Sequence, residues 1–259
     1  MELLVVASFG ALDAPSCNTS WLNRSAYIPW PGEPWFTNVT STAPDGELVE
    51  VSGKACSNNT KPAVYHPPHN TPMPYPEIVD YTEFIAAFTD IVDMLPPSTK
   101  LIVDIGSGPC DNQAEWVEAW WADRYASPIK MLSADPFARS AQHNLMVQAS
   151  VEKAGGADVA TSMGVINVIE KDNDLLSHVG VLYRALRPGG LALLKVWAGY
   201  WPKRGSGVPT PKPFWGPYYQ HNKWASGFLC TVRYIFDVNA TLSYVDEQLH
   251  LLVLRKPEA

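Results

Sequence analysis

Apolar positions along the chain follow no period before Pro76 and a regular one after it. In the first stretch Trp21, Trp30 and Trp35 read as exposed aromatics, and eleven of the 23 prolines fall at or before Pro76. "HPPHNTPMPYP", His66 to Pro76, excludes regular helix and central strand, because proline removes a donor and restricts its predecessor. Residues 1–75 are therefore expected to form an irregular extension wrapped onto a main domain at 76–259. Beyond Pro76, apolar residues from Ile78 to Leu95 recur at helical spacing until "PPST". "LIVDI", Leu101 to Ile105, is a short strand running into Gly106-Ser107-Gly108, and a helix carrying Trp116, Val117, Trp120 and Trp121 follows. "IKMLSADP" is a second strand ending at Asp135, and "ADVATSMGVINVI" another that leaves near Ser162. "DNDLLSHVGVLYRAL" is an amphipathic helix closed by "RPGG", from which "LALLKVW" departs as a strand. "FLCTVRYIF" and "LHLLVLR" read as two final strands separated by "DVNATLS". This order predicts an α/β fold, a mostly parallel sheet with a C-terminal antiparallel hairpin.

Between Asp135 and Asp158 lie 22 residues, too few for a comfortable helix, strand and second helix. Either "LMVQAS" is a short third strand bringing Ser150 toward a ligand, or one long helix fills the gap; the length favours the helix.

Composition narrows the partners. A net charge of -7 and a pI near 5.3 argue against a surface built to hold nucleic-acid backbone. No window reaches the roughly 18 apolar residues of a membrane span. "LLVVASFGAL", Leu3 to Leu12, has the length of a signal-peptide apolar region, but Glu2 stands where a basic flank belongs, and the stretch reads equally as a strand. Asn18, Asn23, Asn38, Asn58 and Asn239 each begin a glycosylation sequon, and Cys17 and Cys56 are placed to pair in an oxidising compartment. Cys110 and Cys230 fall in segments expected to be buried. The two readings are a secretory leader and a polar leader with accidental sequons, with a slight balance toward the cytoplasm. His66 and His69 have ligand spacing but sit in a proline-rich loop, so no metal site is expected.

The glycine turn carries the chemistry. In open parallel sheets ligands collect at the carboxyl ends of strands, where the topology switches. Gly106 and Gly108 let the main chain turn tightly and approach a ligand. The dinucleotide pattern G-x-G-x-x-G needs a glycine at position 111, which is Asp111 here. Asp104, two residues before Gly106, suits a cationic amine, and Asp135 lies where a carboxylate would grip a ribose diol. A ligand with an amino-acid cation at one end and a ribose at the other satisfies both.

Together "VDIGSG", "SADP", "ADVATSM", "LRPGG" before a strand, and a closing hairpin resemble the class I S-adenosylmethionine-dependent methyltransferases, over about residues 76–259. "DPFARSAQHN" also resembles a small bacterial and phage branch with D-P-F-x-R-S-x-x-H-N after the second strand. The resemblance implies a Rossmann-like seven-stranded sheet with its last strand antiparallel, and S-adenosyl-L-methionine as cofactor. It places Asp104, Gly106, Ser107 and Gly108 at the methionine end, Asp135 on the ribose hydroxyls, and Pro136 and Phe137 beside the adenine. Cys110 occupies the third glycine of the common D/E-x-G-x-G-x-G pattern, so the turn departs from the family there.

The acceptor is less legible. "TSMGVIN" lacks the N/D-P-P-Y/F signature associated with nucleobase amino methylation. "WAGYWPKRGSGVPTPKPFWGPYYQHNKW" is long and rich in Gly, Pro and aromatics, and reads either as a substrate lid or as a cover for the sheet edge. Lys203, Arg204 and Lys212 would favour an anionic small molecule there. His221, then Tyr200, are the candidate catalytic bases, each also readable as structural. His143 and Asn144 are expected to hold the loop around Asp135, and Asn167 either to reach the cofactor pocket or to cap a helix. The expected activity is methylation of a small or medium-sized acceptor by proximity and desolvation under the lid. The alternatives are a nucleic-acid or protein methyltransferase and a non-catalytic scaffold with the same fold.

Overall fold

The computed structural model describes residues 23–36, 95–108, 112–136, 139–167, 169, 171–196, 214–215, 218–219, 225–236, 244–246 and 251–258. In chain order these hold β1 Leu101–Ile105, α1 Asn112–Ala122, β2 Lys130–Ala134, α2 Ala141–Lys153, β3 Ala157–Met163, α3 Asp172–Ala185 and β4 Leu186–Lys195. A two-residue ribbon, β5 Phe214–Trp215 with β6 Tyr218–Tyr219, is followed by α4 Leu229–Phe236, β7 Tyr244–Asp246 and β8 Leu251–Arg255.

Six of these strands form one sheet in the order β2-β1-β3-β4-β8-β7. The first four are parallel, β8 runs antiparallel to β4, and β7 runs antiparallel to β8. The fold is Rossmann-like α/β with a C-terminal antiparallel hairpin, as the pattern predicts. The chain steps from β1 to β2 on one side, then returns past β1 to β3 on the other. The switch point therefore lies between β1 and β3.

Period-two alternation feeds two cores. Val103, Ile105, Ala160, Leu194, Leu252 and Leu254 pack with the apolar faces of α2, α3 and α4. Ile102, Met131, Val159, Leu193, Leu251 and Val253 pack with Val117, Trp120 and Trp121 of α1 and with Leu95. The strands are apolar on both faces because helices cover both.

Three expectations are corrected. "FLCTVRYIF" is not a strand: Phe228 closes a 3-10 turn and the rest is α4. Its β-branched and aromatic content suggests a strand, but Leu229, Val232, Ile235 and Phe236 form one buried helical stripe, and periodicity outweighs propensity. The hairpin partner of β8 is Tyr244–Asp246 instead. Seven strands are implied by the resemblance, whereas the main sheet has six among the described residues; the described residues between β2 and β3 hold α2 and no strand, leaving β2 at the end of the sheet. "RPGG" lies inside β4 rather than before it, since Leu186 already pairs with Ala157 ahead of a register shift.

Trp35 is also not exposed. Only 4% of it is accessible, while Trp30 keeps 64%. The Trp35 N–H donates to Gln148 Oε1 at 2.9 Å, and Gln148 Nε2 donates to the Glu33 carbonyl at 2.7 Å. Tyr27 Oη donates to Asn173 Oδ1 at 3.0 Å, and the Tyr27 carbonyl crosses α3 at Gly180 so closely that no Cβ would fit there. Residues 23–36 are thereby seated on α2 and α3. Asn23, one of the sequons, caps the short turn Arg24–Ala26 by accepting from the Ser25 N–H. Cys230 is half-buried and disulfide-bonded.

The helix expected before Leu95, the Leu3–Leu12 stretch, the other four sequons, His66, His69, Cys17, Cys56 and Cys110 lie outside the described residues. Among the described residues no helix is long and apolar enough to cross a membrane, and no cluster of His, Cys, Asp or Glu is arranged to hold a metal ion.

Candidate functional site

β1 delivers Asp104 and then breaks at Gly106, whose φ of +90° is open to glycine and strained for other residues. The Gly106 and Ser107 N–H groups both donate to the Ala134 carbonyl at the end of β2, at 2.8 and 3.3 Å. A Cβ on Gly106 would sit 2.5 Å from Val165 Cγ2, so the loop leaving β3 closes directly over the turn. This pins the turn between the ends of β2 and β3, at the switch point.

Two carboxyl groups belong to it. Asp104 is 1% exposed and accepts a 2.6 Å hydrogen bond from Thr161 Oγ1, its register partner on β3. Burial pushes its carboxyl up to about 7 from 3.8; the Thr161 bond opposes this, the Asp135 charge adds to it, and the Arg139 guanidinium opposes it. Asp135, buried just beyond β2, accepts from the Gly108 N–H at 2.8 Å. Arg139 Nε donates to the Gly108 carbonyl at 2.8 Å. One peptide group on each side of Gly108 is thus tied to the segment after β2.

That segment is itself clamped. Asn144 Oδ1 accepts from the Asp135 N–H at 3.0 Å, and its Nδ2 donates to the Asp135 carbonyl at 2.8 Å. His143 Nε2 lies 2.9 Å from the Ser133 carbonyl, which requires the proton on Nε2. Ser140 caps α2 by accepting from the His143 N–H at 3.1 Å. Asn144→Ala would leave the buried Asp135 N–H unpaired, at about 1–3 kcal/mol for a buried donor, while the Asp135 carbonyl keeps the Arg139 N–H at 3.2 Å. The variant is expected to lose about 2 kcal/mol in urea unfolding, and Asn144→Asp, which sets a carboxylate oxygen against the Asp135 carbonyl in a buried site, is expected to lose at least as much.

The structure brings Asp104, Gly106, Ser107, Gly108, Asp135 and Pro136 to one end of the sheet; Phe137, His221 and Tyr200 lie outside the described residues. Asn167 does not cap α3, whose N-cap position is Lys171. It is 2% exposed, and its Oδ1 has no hydrogen-bond partner among the described residues. Sequence reasoning assigned nothing to Thr161, Val165 or Arg139. Thr161 carried a usable signal, being a polar residue inside a strand buried on both faces; Arg139 was visible in "DPFARS" without any indication of where it pointed.

No family model matches the chain, and no curated protein matches it. Among solved structures it is similar to a SAM-bound amino pentose methyltransferase from Micromonospora echinaspora involved in calicheamicin biosynthesis, at 15% identity and a TM-score of 0.30, over 47% of this chain and 52% of that one. Mitomycin 7-O-methyltransferase is 12% identical with a TM-score of 0.41, over 69% and 55%. A S-adenosylmethionine-dependent methyltransferase from Clostridium acetobutylicum is 11% identical with a TM-score of 0.40, over 70% and 94%. The chain spans about half the length of the first two. At these identities and scores the likeness assigns no residue and no substrate.

Proposed function

We propose that the chain is an S-adenosylmethionine-dependent methyltransferase acting on a small or medium-sized acceptor, with residues 76–259 as its catalytic domain and 1–75 as an extension. The observation that supports this most is the pairing of a two-glycine turn with two buried carboxyl groups at the switch point. Gly106 keeps the turn free of a side chain that would meet Val165. Asp104 suits a cationic amine: its carboxyl is held near 7 by burial, and a bound ammonium would favour its charged form. Asp135 offers a carboxylate to vicinal hydroxyls, and Ser107 and Gly108 are assigned to the methionine end by the sequence resemblance. Asn167 Oδ1 adds a buried acceptor two residues beyond the Val165 that covers the turn. Pro136 and Phe137 are assigned beside the adenine by the sequence resemblance alone.

The cofactor, when bound, supplies an electrophilic methyl group on a sulfonium. The chain's part is to orient the acceptor and exclude water, and a general base is needed only where the nucleophile is protonated. The segment from Trp197 to Trp224 is assigned as the cover over an anionic acceptor, with His221 and then Tyr200 as candidate bases.

Calorimetric titration with S-adenosylmethionine and S-adenosylhomocysteine, with NAD as control, tests the reading. The sulfur ligands are expected to bind in the micromolar range and NAD not at all. Gly106→Val is expected to abolish binding, and Asp135→Ala to weaken it at least tenfold, about 1.4 kcal/mol. Unchanged binding by both variants would remove the site assignment. A folded parent that binds neither sulfur ligand would leave the scaffold reading in its place.

A further inference from the structure

A cavity of about 220 Å³ opens where residues 23–36 cross the C-terminal end of α3. Ile28, Pro29, Trp30 and Pro31 give it apolar walls, and Tyr183, Arg184 and Lys256 complete it. Ala185 runs directly into Leu186 at the start of β4, so the cavity lies at the amino-terminal edge of the parallel strands. The glycine turn lies at the opposite, carboxyl-terminal edge. The cavity is therefore separate from the cofactor site.

Three cations converge here. The Arg24 guanidinium carbon is 4.7 Å from the Tyr183 ring centroid, and Lys256 Nζ is 4.6 Å from the same centroid. Arg184 is adjacent in sequence to Tyr183. Among the described residues one carboxylate pairs with this group, Glu152, which lies 3.5 Å from Arg184 and also accepts from Gln148 Nε2 at 3.1 Å. Their mutual repulsion is visible at Lys256: burial first, then the charges of Arg184 and Arg24, push its ammonium down to about 8. Arg24 Nε and Arg184 Nε are both buried without a hydrogen-bond acceptor. Those two atoms are closed off from the cavity, but the gathered charges of Arg184 and Lys256 face it, and an anion there relieves their repulsion. Lys256 Nζ has one N–H left for it after its bonds to the Tyr183 and Leu186 carbonyls at 3.0 and 2.6 Å. Beside them Trp30, 64% exposed, and two flanking prolines present a rigid apolar surface. A bare inorganic anion would leave that surface in water.

We propose that this cavity is a binding site for a small organic anion, a flat apolar body carrying one carboxylate, with Arg184 and Lys256 on the acid group and Trp30 against the body. The apolar walls exclude a highly charged phosphoryl ligand as the best fit, and the volume limits the body to a small ring system.

The test uses the full chain and 2-naphthoate as probe, with its neutral analogue 2-naphthamide and inorganic phosphate as comparisons, by calorimetry at pH 7. Naphthoate is expected to bind saturably at one site, with the amide and phosphate each at least tenfold weaker. Arg184→Met and Trp30→Ser are each expected to weaken naphthoate at least tenfold, with S-adenosylmethionine titrating as in the parent. Trp30 is exposed, so Trp30→Ser retains the fold and keeps the test valid even if Arg184→Met unfolds. Equal affinity for acid and amide, phosphate binding as tight as naphthoate, or naphthoate affinity unchanged in Trp30→Ser would each overturn the proposal.

Discussion

Replacing Asp104 by Asn is expected to stabilise the protein at pH 8, by as much as about 4 kcal/mol. In the folded protein this carboxyl holds its proton up to about pH 7, against 3.8 for an ordinary one. Between those values the folded state binds the extra proton. The stability it contributes is complete below pH 3.8 and lost as pH rises through 7. Asparagine cannot ionise and keeps an oxygen for the Thr161 hydroxyl, so the variant escapes that loss. His178 works in the opposite sense. Buried at the end of a 2.8 Å hydrogen bond to Ser162 Oγ, its imidazole is pushed down to about 4 from 6.5 by burial. Its contribution is complete above pH 6.5 and lost as pH falls through 4. Over the shared window from pH 4 to 6.5 the two groups nearly cancel in the parent. In Asp104→Asn the His178 slope is left alone, and stability should climb by about 3 kcal/mol across that window. Urea unfolding at pH 4.5, 6 and 8 measures both. No gain at pH 8 and a variant profile parallel to the parent's would show that Asp104 does not carry the raised carboxyl. On the proposed function the same variant weakens S-adenosylmethionine binding, so stability and activity oppose each other at this residue.

Gly180→Ala is expected to destabilise by about 3 kcal/mol, where the same change on an exposed helix face would stabilise by about 1. Gly180 sits mid-helix in α3, and the added methyl would land on the Tyr27 carbonyl. Either α3 shifts or residues 23–36 leave it. Undocking would expose Trp35, at about 1.5–3 kcal/mol for a large apolar side chain, and release the paired bonds of Gln148. Chemical unfolding gives the sign, and limited proteolysis between residues 23 and 36 shows whether the segment has detached. A rise in stability would mean that this segment is not seated on α3.

Much of the architecture is legible in the sequence. Short, nearly continuous apolar runs separated by helical stripes led to β1 to β4 with their helices, because burial on both faces writes itself into composition. The length between Asp135 and Asp158 pointed to a single helix there, since chain reach is fixed by covalent geometry. The glycine turn and both acids were visible because glycine conformations and buried charge are rare enough to stand out. "FLCTVRYIF" was misread because nine residues hold little more than two helical turns, and strand-forming residue types masked the stripe.

The sequence by itself determined which segments are strands and helices in the parallel part of the sheet and which residues turn at its carboxyl edge. Local periodicity and backbone sterics act within a few neighbours and need nothing else. Only the tertiary structure decided that Thr161 meets Asp104, that Arg139 and Asp135 hold the two sides of Gly108, and that Tyr27 crosses Gly180. These partners lie between 27 and 153 residues apart in pairs that no periodicity relates. Their meeting depends on strand register and on the docking of one segment over another, and both are settled only when the whole core packs.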